Sequence, residues 1–358
     1  MLFTDKRTGK DFSKDPCVVA LGGKYYLYYS IWQNIGGENK LGIGIAVSAD
    51  MENWDIVGEI PLTQKCEEKG IGAPGAVVLD GVIHLFYQTY GNWEKDKICH
   101  ATSADGVHFE KDETNPVFSP SPTWCCGRAI DADVVVFGGR LYLYYATRDH
   151  GMKIQKVGAA SSPLGSGFSK GTWKEELIQS VLAPEFKYEG ECIEAPATFT
   201  DGGKVYMFYG GSYNCTPQQI GLAVSSDAVH FDKVSSEPFL PCGKKGEWNE
   251  SESGHPYAFR DDDGQLYLFY QGSPDNGKSY SRIKNCRTLR HSYIGKIVST
   301  AFSVTFFFVF AGHTSDIFLE SSVERRQRSV PNFLGYGANA LSAVRMKERA
   351  GVVYPDSV

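Results

Sequence analysis

Three acidic residues and one histidine recur at comparable places along a chain of 358 residues: Asp15 in KDPCVV, Asp131 in AIDADVVV, Glu194 in CIEAPATF and His255 in SGHPYAF. Each opens a short apolar run. Carboxyl groups gathered in one pocket are equipped for acid/base work. Hydrolysis of an acetal such as a glycosidic bond needs an acid on the leaving oxygen and a second carboxylate for water or the anomeric carbon. The acid must keep its proton near neutral pH, which burial or a neighbouring like charge achieves by raising its pKa. Asp15, Asp131 and Glu194 facing one another would repel, and one of them should stay protonated.

The elements that would bring them together are legible as a repeat. KDPCVVALGGKYYLYYS, GAPGAVVLDGVIHLFYQ, IDADVVVFGGRLYLYYA, EAPATFTDGGKVYMFYG and GHPYAFRDDDGQLYLFYQ share one plan: a short apolar strand, a Gly- and Asp-rich turn, and an aromatic strand. The units start at Asp15, Ala73, Asp131, Glu194 and His255, in steps of 58, 58, 63 and 61 residues. Between them recur AVSADMENW, ATSADGVHF, AASSPLGSGF and AVSSDAVHF, each a strand, a turn and an aromatic that opens a further strand. Four strands per unit at this period predict an all-β, five-bladed β-propeller in preference to a β-sandwich, because a lone blade cannot bury both faces. The 20 Tyr, 21 Phe and 39 Gly fit aromatic strands joined by tight turns. In a propeller the inner strands all begin near the axis on one face, so the residues opening the five units converge.

Each residue also has a plainer reading. Asp15 before Pro16 suits a turn cap, and Asp131 suits a structural acceptor with Asp133 as its competitor. Glu191 in GECIEAP competes with Glu194, although the Glu-x-Pro frame favours Glu194. Aromatics stack on sugar rings, so Trp32, Tyr90, Trp93, Trp124 and Trp248 are candidate substrate contacts. Arg128 is a candidate for a hydroxyl or carboxylate. His255 reads as an axial residue. His100, His108 and His230 read as structural, and Trp54, Phe109 and Phe231 as blade packing.

A net charge of −6 argues against general nucleic-acid binding. Nine cysteines with no CxxC pair give little support to a zinc site and suit reduced thiols in a cytosol. No apolar signal segment opens the sequence, so a cytoplasmic location is expected, with secretion the alternative. Composition shifts after Gly277. Residues 278–358 carry 12 Lys/Arg against 5 Asp/Glu and include the uncharged run Ile297–Gly312. This divides the chain into a propeller at 1–277 and an atypical segment at 278–358 that either completes the last blade or is poorly ordered. Sixteen residues fall short of the ~20 of a membrane helix, so no membrane partner is expected.

The ordered series Asp-Pro, Ala-Pro, Ile-Asp, Glu-x-Pro and Gly-His resembles glycoside hydrolase family 43 over about residues 12–275. The resemblance implies a five-bladed propeller that removes terminal arabinofuranosyl or xylosyl residues from oligosaccharides with inversion. It also implies roles: Asp15 as the base that activates water, Asp131 as the residue that orients and tunes the proton donor, and Glu194 as that donor. Trp32, Trp93, Trp124, Arg128 and His255 would bind substrate. No cofactor is required, although a structural calcium near His255, reached through water, is implied. Two departures stand out: Gly72-Ala73-Pro74-Gly75 where an aromatic and an acid are usual, and Ala132 where Pro is common. The alternatives are a hydrolase like those of family 32, or one acting on another furanoside or a galactoside, and a sugar-binding propeller without turnover.

Overall fold

The computed structural model describes residues 2–9, 11–275 and 281–287, with the backbone of 304–310 and 317–323. Five four-stranded antiparallel sheets form the blades of a β-propeller. The first four run in chain order: Lys14–Leu21 to Asp55–Glu59, Ile71–Leu79 to Glu110–Lys111, Ile130–Phe137 to Lys174–Glu175, and Ile193–Asp201 to Asp232–Lys233. The fifth combines Glu252–Arg260, Leu266–Ser273 and Arg282–Arg287 with the N-terminal strand Leu2–Phe3, whose Leu2 pairs with Lys284. The two ends of the propeller thus close in one sheet, and that sheet reaches beyond Gly277. Within the uncharged run, Val304–Phe310 pairs, among the described residues, with Ile317–Val323 alone, as a separate two-stranded sheet. The rest of the segment after Gly277, including residues 324–358, lies outside the described residues. No helix among the described residues is long and apolar enough to cross a membrane, and all nine cysteines are free.

Alternation explains the packing. The second strand of each blade, such as Lys24–Ile35 or Arg140–Arg148, buries aliphatic and aromatic residues on both faces because it lies between blades. Tyr29, Tyr87 and Tyr209 are fully buried, and each satisfies its hydroxyl on a buried carboxylate: Asp5 at 2.7 Å, Glu67 at 2.7 Å and Glu189 at 2.8 Å. The Ser–Asp turns are held the same way each time. Asp50, Asp105 and Asp227 accept the amides two and three residues ahead. His108 and His230 lean on Asp105 and Asp227 at 2.7 Å.

The inner strands carry the feature that builds the site. All five break register near their start, between Lys14 and Cys17, Gly72 and Gly75, Ile130 and Asp133, Glu194 and Ala197, and Gly254 and Tyr257. At each bulge one residue takes a left-handed backbone: Asp15 (φ 52°), Ala73 (44°), Asp131 (52°), Ala195 (48°) and His255 (40°). Equivalence therefore runs through Ala195 in the fourth blade, and Glu194 stands one residue earlier, in the place held by Lys14 and Ile130. A bulge re-aims the side chains on either side of it, so residues at both positions face one pocket. The left-handed conformation costs an L-residue roughly 1–2 kcal/mol. Side chains of the preceding blade fix four of the five strained amides: Ala73 N–H donates to Ser30 Oγ (2.9 Å), Asp131 to Gln88 Oε1 (2.8 Å), His255 to Gln218 Oε1 (3.1 Å) and Asp15 to Gln271 Oε1 (2.9 Å).

The second-blade departure also has a physical reason. A Cβ on Gly75 would come within 2.1 Å of the Ala132 carbonyl oxygen, so the close approach of the second and third inner strands excludes any side chain there.

Candidate active site

At the axial end where the inner strands begin, Asp15, Asp131, Glu194 and His255 meet in one pocket of about 390 Å³ with Lys14, Arg128, Trp32 and Tyr90. His255 lies at its centre. Its Nδ1 is 2.7 Å from Asp15 Oδ1 and its Nε2 is 3.3 Å from Glu194 Oε1. An imidazole has its two nitrogens about 2.2 Å apart, so these two oxygens can be no more than about 8 Å from each other, a bound that admits both the ~6.5–9.5 Å separation of inverting enzymes and the ~5–5.5 Å of retaining ones. Asp131, Glu194 and His255 are buried, and Asp15 is nearly so, with 11% of its side chain exposed.

Their environments set different protonation. Burial pushes Asp15 up, but the charges of His255 and Lys14 outweigh it and hold the carboxyl well below its usual range. Glu194 is also drawn down despite burial, because His255 and Lys14 face it and Gln218 donates to Oε1 at 2.6 Å. Gln155 donates to its other oxygen. Asp131 goes the other way, to about 6: burial raises it, the charges of Glu194 and Asp15 raise it further, and its Oδ2 has no hydrogen-bond partner. His255 is raised well above its usual value by Asp15 and Glu194, against the effect of burial. Of the three pocket acids, Asp131 alone is shifted upward.

Asp133 is not a rival for that position. It faces the narrow axial channel of about 20 Å³ beneath the pocket, among the inner-strand prolines. There it accepts the Thr198 N–H at 2.7 Å and the Thr198 hydroxyl. Burial raises its pKa to about 7, opposed by those bonds. A carboxyl with a folded pKa above its unfolded value favours the fold below the unfolded value, near 4, and loses that contribution as pH rises through about 7. Asp133→Asn should therefore flatten the fall of Tm between pH 4.5 and 7.5, measured by thermal melts side by side. Wild-type and variant curves that stay parallel would refute this.

The other expected contacts divide. Trp32 and Tyr90 line the pocket as an edge-to-face pair, ring centroids 6.0 Å apart, with Phe12 beside Trp32 at 6.1 Å. The second blade thus contributes Tyr90 and Gln88 in place of the missing aromatic at Gly72. Trp93 is 61% exposed and meets the pocket through Arg128 and Arg148, whose guanidinium carbons lie 5.7 and 5.4 Å from its ring. Trp124 is not at the pocket, contrary to expectation. Its Nε1–H donates to Glu175 at 2.9 Å and its ring packs on the third-blade core. Trp248 likewise packs on Tyr270 in the fifth blade, centroids 5.6 Å apart. Glu191 pairs with Lys153 at 3.0 Å on the half-exposed surface and leaves Glu194 as the pocket acid. Sequence reasoning missed Lys14, Gln88, Arg148, Gln155, Tyr213 and Asn214, all of which line the pocket.

Calcium takes six to eight oxygen ligands. Both nitrogens of His255 face carboxylates, and no three His, Cys, Asp or Glu side chains among the described residues converge as a metal site. These residues do not fit a calcium ion, and no step below passes through one. At the far end of the inner strands a depression of about 840 Å³ is lined by hairpin turns at Gly138, Gly202 and Gly264; it contains none of the convergent acids.

Comparison with known proteins gives the context. The family model described as glycosyl hydrolases family 43 matches residues 8–300. Among solved structures, a thermostable family-43 glycoside hydrolase superposes with a TM-score of 0.61 at 22% identity, over 77% of this chain and 89% of the other. An exo-1,5-α-L-arabinanase from a bovine ruminal metagenomic library gives 0.56 at 18% identity, over 77% and 92%. A Bombyx mori family-32 β-fructofuranosidase gives 0.58 at 19% identity, over 77% and 60%. At these identities the likeness is one of fold.

Proposed function

The chain belongs to glycosyl hydrolase family 43, and from that premise we propose that it removes terminal arabinofuranosyl or xylosyl residues from oligosaccharides by an inverting acid/base mechanism in the axial pocket. The observation that carries this reading is the set of three buried carboxyls held around His255. Asp15, ionised and facing His255 and Lys14, is the base that takes a proton from water. Glu194 is the acid for the leaving oxygen. Asp131 sets how readily Glu194 holds a proton: the two repel, and their surroundings favour the proton on Asp131 over Glu194. For turnover that proton must reside on Glu194, while Asp131 becomes the carboxylate that keeps it there. A pocket of about 390 Å³ lies at the small end of ligand sites, which suits one or two sugar rings better than a polymer. Trp32 and Tyr90 offer the apolar faces on which a ring would rest.

The pH dependence follows with its sign. Above about 6 the Asp131–Glu194 pair gives up its shared proton, and the acid is lost. The kcat/KM of the free enzyme should therefore fall with rising pH on a limb near that value. Asp131→Asn should shift this limb, as read from initial rates between pH 4.5 and 8. A profile unmoved in that variant would remove Asp131 from the account.

The function itself is tested with aryl glycosides: α-L-arabinofuranoside, β-D-xyloside, β-D-galactoside and β-D-fructofuranoside. Hydrolysis of the first or second is expected. Hydrolysis of only the third or fourth would refute the proposed sugar, and tight sugar binding with no turnover would refute the catalytic reading.

A further inference from the structure

Beside the catalytic carboxyls, and joined to Glu194 through Gln155, the pocket carries two arginines, Arg128 and Arg148. Ser30, Gln88 and Ala146 pair with Lys14, Gly72 and Ile130 at the bulges. Two residues further along their chains stand Trp32, Tyr90 and Arg148. One wall position therefore carries an aromatic ring in the first two blades and a guanidinium in the third. Arg128 joins it there.

Both guanidinium groups are held in place without being neutralised. Arg148 gives Nε to Gln155 Oε1 at 2.7 Å and one Nη to the Met152 carbonyl at 3.2 Å, and it lies 5.1 Å from the Tyr213 ring. Arg128 is 7% exposed; its Nε has no partner, and one Nη makes a long 3.4 Å contact with Gln155. Among the described residues neither has a carboxylate ion-pair partner. Asp15 and Glu194 are engaged by His255, and Asp131 and Asp96 feel the charge of Arg128 without coming within ion-pair distance of it. A buried cation left unpaired is costly; Arg128 is one, and the partly buried Arg148 placed with it on one aromatic ring adds to the cost unless a ligand supplies the anion.

The geometry points to an acidic substrate: an oligosaccharide carrying a uronate, its carboxylate docked between Arg128 and Arg148. Guanidinium forks match a planar carboxylate in shape and charge. The aromatic wall of Trp32 and Tyr90 would then hold the neutral ring and the arginines the acidic one. This assignment rests on the hydrolase reading above and narrows its substrate class.

The test uses glucuronate-bearing xylo-oligosaccharides and galacturonate-bearing arabino-oligosaccharides, each beside its carboxyl-reduced neutral counterpart. Kd is measured by calorimetry on Glu194→Gln protein, so that binding is read apart from turnover, and kcat/KM on protein with Glu194 intact. For at least one pair the acidic member should bind about tenfold or more tighter than its neutral twin at low salt. That ratio should fall toward one in Arg148→Gln, in Arg128→Gln and in 0.5 M NaCl. Equal Kd values for acidic and neutral members in folded protein would overturn the inference, as would a ratio unmoved in both variants. Turnover of neutral glycosides without acid preference would refute this site and leave the hydrolase standing. Acid-selective, arginine-dependent binding with no turnover of any substrate would do the reverse.

Discussion

Glu194→Gln is expected to lower kcat on natural oligosaccharides by about 10²–10⁴-fold, the usual worth of a positioned general acid. The loss should depend on the leaving group. A dinitrophenyl glycoside departs without a proton and should retain most of its rate, whereas an alkyl or sugar leaving group should not. The fold should survive, because Gln keeps the size and shape of Glu194 and its one oxygen still accepts from one of the two amides, Gln218 or Gln155, that hold Glu194. Equal losses on both leaving groups would mean that Glu194 shapes the pocket without donating the proton.

Asp15→Asn is expected to cause a loss of similar size that does not depend on the leaving group, since the missing step is deprotonation of water. The backbone at Asp15 is fixed by Gln271 through its N–H, which the substitution leaves in place. Azide needs no base, so it should restore turnover in this variant and give the inverted glycosyl azide. Azide rescue of Glu194→Gln in place of Asp15→Asn would exchange the two assignments.

Much of this arrangement was legible because the repeat is written in types that cannot be placed casually. Aromatic second strands need blades on both sides, and Gly- and Asp-rich turns fix where each hairpin folds. The acids at the axis followed from where the units begin. The offset of Glu194 was not legible: Glu194, Ala195 and Pro196 all fit the opening of a unit, and only the positive φ of Ala195 shows that the bulge lies after Glu194. Closure by Leu2–Phe3 was hidden for another reason, since a two-residue strand carries almost no periodicity. Arg148 could have been found. If inner strands start at the axis, second strands must end there, and Arg148 ends one. Trp124 and Trp248 misled because a loop tryptophan near a pocket in sequence is free to turn outward to a partner such as Glu175 or Tyr270.

The central claim is that Asp15 and Glu194 act on opposite faces of one sugar, and the configuration of the first-formed product tests it most directly. Proton NMR of the anomeric region during the first turnovers, before mutarotation, is the measurement. Asp15 activating water opposite Glu194 requires the product to appear with inverted configuration. A product that first appears with the substrate's own configuration would contradict it, placing a carboxylate on the anomeric carbon as nucleophile in a double displacement.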